Sequence, residues 1–172
     1  KPPVARRVPD AVSWRAAWGD ERMITAGIDI GSLTAKAVVL EDSQTEPLGS
    51  HLMPTGHRPA DAGDRVLRAA VDVAGIDIAD IEASVGTGYG RVAMRGVDWR
   101  ITEISCHARG AWHLLSGVKT VIDIGGQDAK VIRVDERGNA LDFEMNDRCA
   151  AGTGRFFEVM AEAMEISLEE LG

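Results

Sequence analysis

Alternating and continuous runs of apolar residues divide most of the chain into short strands and helices. Two β-branched apolar runs, at residues 25–30 and 34–40, predict strands joined by a tight turn at Gly31–Leu33. A third strand is predicted at residues 48–53. The first part of the chain therefore opens with a strand meander.

Helical spacing follows this meander. The apolar residues that recur at helical intervals are Val66, Leu67, Ala70, Val71 and Ala74. They predict a helix over residues 59–74, with Gly75 as its C-terminal stop. Further strands are predicted at residues 81–85, 120–124, 129–134 and 140–145, a turn at 136–139, and helices at 106–115 and 153–164.

Two nine-residue stretches share one pattern. Residues 28–36 are Ile-Asp-Ile-Gly-Ser-Leu-Thr-Ala-Lys, and residues 122–130 are Ile-Asp-Ile-Gly-Gly-Gln-Asp-Ala-Lys. Each copy predicts a β-hairpin with an acidic residue near the end of its first strand and a glycine-rich turn. An internal repeat constrains architecture more strongly than local propensity does. We therefore expect an α/β protein with two lobes that face each other across a cleft.

The repeat also sets the expected domain limits. Residues 1–22 contain three prolines and four arginines and are predicted to form an N-terminal arm. The first lobe is expected over residues 23–119 and the start of a second lobe over residues 120–172. Ser167 and Glu170 form a capping-box pattern that opens a helix close to Gly172. We therefore expect the second lobe to be incomplete within these residues.

The two glycine-rich turns predict a phosphate site. Backbone N–H groups without a neighbouring Cβ can approach an anion closely. The candidate phosphate-binding residues are Gly31, Ser32, Leu33 and Thr34 in the first turn and Gly125, Gly126, Gln127 and Asp128 in the second. Asp29 and Asp123 would lie beside the phosphates, where carboxylates suit Mg²⁺ and its waters. One of these aspartates, or Gln127, is a candidate to orient an attacking water for phosphoryl transfer.

Other nucleotide signatures are weaker. The chain contains no G-x-x-x-x-G-K-[ST] phosphate loop, and residues 86–90 lack the G-x-G-x-x-G spacing of a dinucleotide site. A formal net charge of −8 argues against general nucleic-acid binding. No apolar run approaches the ~20 residues of a membrane span, and residues 1–22 lack the apolar stretch of a secretory signal. We expect a cytoplasmic protein without nucleic-acid or membrane partners.

Cys106 and Cys149 are the only two cysteines of the chain, and each is predicted to stand just before a helix. A helix N-terminus favours negative charge, and hence a thiolate or an anionic metal–thiolate cluster. A cubane cluster held by cysteines alone needs four thiolates, which a two-fold pair of such chains supplies. Buried free thiols, a disulfide, or a zinc site that also uses His107 and His113 remain as alternatives.

Five stretches together resemble one known family. They are residues 29–36, residues 86–91 (Gly-Thr-Gly-Tyr-Gly-Arg), residues 103–110 (Glu-Ile-Ser-Cys-His-Ala-Arg-Gly), residues 123–128, and residues 146–155 (Asn-Asp-Arg-Cys-Ala-Ala-Gly-Thr-Gly-Arg). In this order they resemble the 2-hydroxyacyl-CoA dehydratase activators and the ATPase subunits of benzoyl-CoA reductase. The resemblance spans residues 24–172.

The resemblance implies a fold, a set of cofactors and several partners. The fold is of the actin/Hsp70/sugar-kinase type, with duplicated ribonuclease H-like lobes. ATP with Mg²⁺ would drive electron transfer through a 4Fe-4S cluster shared between two subunits, each giving two cysteines that map onto Cys106 and Cys149. The implied partners are a related ATPase subunit or a second copy, a ferredoxin-like donor, and a reductase or dehydratase subunit that serves a CoA thioester.

Within this family, the N-terminal arm favours one branch. Residues 13–15 (Ser-Trp-Arg) and 18–19 (Trp-Gly) resemble the N-terminal extension of the alpha-type subunit of benzoyl-CoA reductase. We therefore expect the reductase branch, with the dehydratase activators as the alternative. Two hypotheses of another class are a sugar- or acyl-kinase-like enzyme with structural cysteines and a nucleotide sensor without a cluster.

Overall fold

A computed structural model describes residues 23–44, 46–147 and 151–171. The chain divides into two compact units, Lys1–Ile101 and Thr102–Gly172. The arm predicted at residues 1–22 lies outside the described residues, as do Thr45, residues 148–150 and Gly172.

Unit 1 is a five-stranded sheet with one long helix packed against it. Its elements are β1 (Ile24–Ile30), β2 (Thr34–Glu41), β3 (Gly49–Pro54), α1 (Pro59–Ala74), β4 (Ala83–Thr87) and β5 (Trp99–Arg100), with short 3-10 helices at Ile78–Asp80 and Tyr89–Ala93. The strand order is β3-β2-β1-β4-β5. β1 pairs antiparallel with β2 and parallel with β4. This mixed sheet leaves the β1–β2 turn at one end.

The core of unit 1 lies between β1, β2 and α1. Ile28, Ile30 and Val39 from the strands and Val66 and Ala70 from the helix are almost fully buried. These are the alternate positions of the strands and the helical positions of the sequence pattern. Burial of such aliphatic side chains is the main favourable contribution to folding.

Unit 2 is a three-stranded antiparallel sheet with two helices. Its elements are α2 (Glu103–Leu114), β6 (Thr120–Ile124), β7 (Ala129–Val134), β8 (Ala140–Asn146), α3 (Gly154–Ala163) and a 3-10 helix at Leu168–Leu171. The strand order is β6-β7-β8. Ala108 of α2 packs on Ile132 and Val134 of β7. The meander of unit 1 is thus repeated in unit 2.

Most predicted elements occur within a residue or two of their expected limits, including α1, β6 and β7. Two predictions need correction. Helix α2 begins at Glu103, because the Thr102 hydroxyl accepts a hydrogen bond from the Ser105 amide and caps the helix earlier than expected. The contact predicted between Ser167 and Glu170 forms, but it opens only a 3-10 turn.

Helix α2 packs within the second compact unit. The sequence assigns this helix to the first lobe, and in the structure it packs on β6, β7 and β8. The domain limits drawn from the sequence remain a prediction. Within the described ranges, no helix has the length and apolar character needed to cross a membrane.

Candidate functional site

The two repeated hairpins have the same backbone geometry. Asp29 lies opposite Lys36 in the β1–β2 register, and Asp123 lies opposite Lys130 in the β6–β7 register. The Gly31 amide donates to the Thr34 carbonyl at 3.0 Å, and the Gly125 amide donates to the Asp128 carbonyl at 2.8 Å. Residues 31–33 connect the first pair of strands, and residues 125–128 connect the second. The structure therefore brings the candidate residues of each hairpin together at one tight turn.

In unit 1, the Asp29 carboxylate is held at the end of its strand. Its Oδ2 accepts a hydrogen bond from Lys36 Nζ at 3.0 Å, and the two side chains are 25% and 46% exposed. On its other side lies Gly88, which has φ +85° and ψ −180°. A Cβ at Gly88 would stand 2.2 Å from Asp29 Oδ1. Only glycine fits here, so Gly88 shapes the surroundings of Asp29.

Thr55 supports the first turn from behind. This residue is 2% exposed, and its hydroxyl donates to the Gly31 carbonyl at 2.8 Å. Its amide donates to the Leu33 carbonyl at 2.9 Å. With these two carbonyls engaged, the turn is fixed before any ligand arrives, which lowers the entropy cost of binding. The sequence pattern does not identify Thr55, and it includes Gly88 only as part of the motif at residues 86–91. The roles of both residues depend on contacts with a distant hairpin.

In unit 2, Lys130 is the centre of an ionic cluster. Its side chain is 3% exposed, and Nζ lies 2.6 Å from Asp128 Oδ1, 3.1 Å from Glu103 Oε1 and 3.4 Å from Asp123 Oδ2. Burial alone would lower the pKa of Lys130, but the hydrogen bonds to Asp128 and Glu103 outweigh burial and raise the pKa. The lysine therefore stays charged and neutralises part of the surrounding acidic charge.

His107 provides a second contact to the same aspartate. His107 Nδ1 donates to Asp123 Oδ2 at 2.9 Å. This hydrogen bond is the main reason why the pKa of Asp123 is below its ordinary value, since burial acts in the opposite direction. Asp123 therefore remains an anion that can attract a cation. The sequence treats His107 only as a candidate zinc ligand, whereas in the structure this α2 residue contacts the β6–β7 hairpin.

The N-terminus of α3 supports the second turn. The Gly154 amide donates to the Gly125 carbonyl at 2.9 Å, and the Arg155 amide donates to the Gly126 carbonyl at 3.1 Å. Thr153, at the start of this helix, is fully buried. These helix amides have no partner within the helix, so the turn satisfies them. The second turn is thus held by a helix end, where the first is held by Thr55.

Of the two cysteines, Cys106 lies within the residues that the structure describes. Cys106 is the fourth residue of α2, so it lies in the first turn of the helix. The residue is half-buried. The position fits a thiolate ligand, because the first turn of a helix favours negative charge. Cys149 lies outside the described residues. Within the described ranges, no group of three or more His, Cys, Asp or Glu residues is arranged to hold a metal ion.

Comparison with known proteins places these features in a family. The model of the BadF/BadG/BcrA/BcrD ATPase family matches residues 26–172. The activator of lactoyl-CoA dehydratase from Anaerotignum propionicum is 46% identical over 149 residues, which are 87% of this chain and 57% of that protein. A benzoyl-CoA reductase subunit from Thauera aromatica is 32% identical over 152 residues, which are 87% of this chain and 54% of that protein. The chain spans about half the length of the curated relatives it matches.

Solved structures confirm the predicted fold class. The Acidaminococcus fermentans (R)-2-hydroxyglutaryl-CoA dehydratase component A superposes with a TM-score of 0.81 at 41% identity, covering 87% of this chain and 57% of that one. The ROK hexokinase from Thermus thermophilus, with a TM-score of 0.50 at 18% identity over 84% of this chain and 65% of that one, shares the fold alone. The fold is therefore that of the actin/Hsp70/sugar-kinase group.

The comparisons also bear on the choice within the family. The dehydratase activators are more similar to this chain than the Thauera aromatica reductase polypeptide is. These identities favour the activator alternative over the reductase branch. The reductase branch is supported in the sequence only by residues 13–19, which lie outside the residues that the structure describes. The match over residues 26–172, with the identities to its members, shows that the chain belongs to the BadF/BadG/BcrA/BcrD ATPase family.

Proposed function

We propose that this chain carries the ATP-binding and electron-transfer elements of an activator of a 2-hydroxyacyl-CoA dehydratase. The observation that supports this proposal is the pair of hairpins with matching geometry, in a chain 46% identical to the activator of lactoyl-CoA dehydratase. ATP hydrolysis would drive an electron toward a partner that acts on a CoA thioester.

Each of the two turns supplies groups that can contact phosphate. Backbone amides of residues 31–34 and 125–128 would contact phosphate oxygens, since glycine at Gly31, Gly125 and Gly126 allows close approach. Asp29 and Asp123 would hold Mg²⁺ through its waters. Both carboxylates are already engaged by a lysine through Oδ2, which suits an ion that keeps several of its water ligands.

Hydrolysis requires a water oriented for attack on the γ-phosphorus, in line with the bond to the ADP leaving group. Gln127 occupies the loop of the second turn, where its amide would position this water, and Asp29 or Asp123 would accept a hydrogen bond from it. The His107 hydrogen bond keeps Asp123 ionised. The products are ADP and phosphate, and the proposed role of the residues is orientation and charge stabilisation.

Cys106 and Cys149 are the proposed ligands of a 4Fe-4S cluster shared with a second, related subunit. When bound, the cluster supplies a one-electron carrier between a ferredoxin-like donor and the dehydratase component. Two thiolates from each of two subunits complete the set of four. Cys106 lies in the first turn of α2. The partial positive charge of this helix end suits an anionic cluster.

The proposal can be tested with the protein at its full encoded length, purified anaerobically. The substitutions Asp29→Asn and Asp123→Asn should each lower the ATPase kcat by at least about tenfold, because they remove charge at the proposed Mg²⁺ positions. Asp72→Asn, at an exposed position on α1, is the matched control. Unchanged hydrolysis in both site variants would contradict the assignment of the hairpins.

The protein that accepts the electron distinguishes the activator from the reductase. The reductase is the second candidate because of the 32% identity to the Thauera aromatica reductase polypeptide. The protein should confer ATP- and reductant-dependent dehydration of a 2-hydroxyacyl-CoA on a dehydratase component. Reduction of an aromatic acyl-CoA with a reductase component, without dehydration, would favour the reductase. Phosphorylation of a sugar or an acid would instead favour a kinase.

A further inference from the structure

The β6–β7 hairpin is attached to both helices that lie next to the cysteines. Helix α2 contains Cys106, and helix α3 begins five residues after Cys149. Each helix contacts the hairpin through hydrogen bonds to the residues of the second turn or of its strands. A change in the shape of this hairpin therefore reaches two helices through direct contacts.

On the α2 side, two residues one helical turn apart make the attachment. Glu103 contacts Lys130 Nζ at 3.1 Å, and His107 contacts Asp123 Oδ2 at 2.9 Å. Residues four apart share one face of a helix, so Glu103 and His107 fix both the position and the rotation of α2. Cys106 lies between them in the sequence, and its location depends on the same helical turn.

On the α3 side, the attachment is through the main chain. The first amides of the helix, those of Gly154 and Arg155, donate to the carbonyls of Gly125 and Gly126. These carbonyls belong to the same peptide run whose amides are proposed to contact phosphate. A rotation of those peptide units would therefore alter both sets of hydrogen bonds together.

Comparison of the two repeats shows what α2 adds. Lys36 of the first hairpin pairs with Asp29 and is 46% exposed, whereas the equivalent Lys130 is 3% exposed. The burial arises because Glu103 and the helix that carries it cover the second hairpin. The lysine of the second copy thus contacts helix α2, through Glu103, in addition to its own aspartate.

We propose that His107 and Glu103 are positioning residues that couple the nucleotide state of the β6–β7 hairpin to the position of Cys106. This inference rests on the proposed nucleotide-binding function. A ligand shifts a conformational equilibrium only through contacts that differ between the two states. The Asp123 carboxylate would be such a contact, because it is a proposed holder of Mg²⁺ and also accepts the His107 hydrogen bond.

The test measures the reactivity of Cys106 in the full-length protein with the cluster removed anaerobically. Peptide-resolved mass spectrometry gives the rate of Cys106 alkylation by iodoacetamide in the presence of MgADP and of a non-hydrolysable ATP analogue with Mg²⁺. The two rates should differ by at least about fivefold in the wild type, the lower end of typical couplings between linked sites. The readout requires neither the cluster nor catalytic activity.

Three variants decide the role of the contact. His107→Leu removes the donor and should abolish the difference between the two nucleotides, while His107→Asn keeps a donor near the Nδ1 position and should restore most of it. Lys119→Gln alters an exposed ion pair of the same unit, 4.0 Å from Glu136, and should behave as the wild type. If His107→Leu does not fold, Glu103→Gln is the substitute, and it should reduce the nucleotide difference.

Nucleotide affinity, measured on the same samples, separates the possible outcomes. If the wild type binds nucleotide but Cys106 reacts equally with both, the coupling is overturned and the proposed ATPase function stands. If His107→Leu binds nucleotide and keeps the wild-type difference, or if His107→Asn fails to restore it, the role of the hydrogen bond is overturned. If the wild type binds no nucleotide, both proposals fail.

Discussion

The strongest stability prediction concerns Lys130, and the internal repeat supplies its control. Lys130→Met removes a cation that is 3% exposed and lies within 3.4 Å of three carboxylates. Lys36→Met makes the same change at the equivalent position of the first hairpin, where the lysine is 46% exposed and one carboxylate lies 3.0 Å away. The two substitutions share their chemistry and differ in environment.

The expected magnitudes follow from that difference. Removing one partner of a buried ion pair costs about 3–5 kcal/mol. Because Asp123, Glu103 and Asp128 keep 20–27% exposure of their side chains, we expect about 3 kcal/mol, the lower end of that range. The exposed pair at Lys36 should cost about 0–1 kcal/mol, as is typical of surface ion pairs.

Urea unfolding followed by circular dichroism measures both variants. With slopes of about 1–3 kcal/mol per M, Lys130→Met should lower the urea midpoint by about 1 M or more, and Lys36→Met by much less. The loss of unfolding free energy caused by Lys130→Met should also become smaller at mildly acid pH, because the carboxylates left without the lysine can then take up protons. Equal midpoint shifts in the two variants, or a deficit that does not vary with pH, would refute the reasoning.

Three further predictions concern other residues of the site. Gly88→Ala should lower the free energy of unfolding by more than the roughly 1–3 kcal/mol of backbone strain alone, since the new Cβ also meets a carboxylate. Gly75→Ala, with φ +68° and open space around it, should cost only the roughly 1–2 kcal/mol of a left-handed non-glycine residue in thermal or urea unfolding. Because the pKa of Asp123 is lowered in the folded protein, its carboxylate contributes stability above about pH 4, the ordinary range of an aspartate. This stability is lost as the pH falls through the folded-state pKa. His107→Leu should therefore weaken the dependence of the unfolding free energy on acid pH. Cys149→Ala should abolish the brown colour and the cluster absorbance of the anaerobically purified protein, and retained absorbance with normal electron transfer would remove this residue from the ligand set.

The repeated hairpins could be predicted from the sequence because their geometry is local. The spacing of Asp29, Gly31 and Lys36 recurs at Asp123, Gly125 and Lys130, and each hairpin closes with the same hydrogen bond between the glycine and the fourth residue of the turn. Short-range pairing, glycine turns and alternating burial are encoded within about ten residues. The phosphate-site candidates therefore followed from pattern alone.

The contacts that modify each hairpin could not be predicted in the same way. His107 reaches Asp123 only because α2 packs on β6 and β7. Gly88 approaches Asp29 because β4 pairs in parallel with β1. Such contacts join residues far apart in the chain, and single-sequence periodicity carries no information about them.

The central claim is ATP-coupled electron transfer through a cluster held partly by Cys106 and Cys149. The most direct test is an electron paramagnetic resonance spectrum of the full-length, anaerobically purified and dithionite-reduced protein, recorded with and without MgATP. The account predicts the signal of a reduced 4Fe-4S cluster whose line shape changes when nucleotide binds. The absence of any cluster from intact, iron-loaded protein would contradict the account and assign the cysteines a structural role.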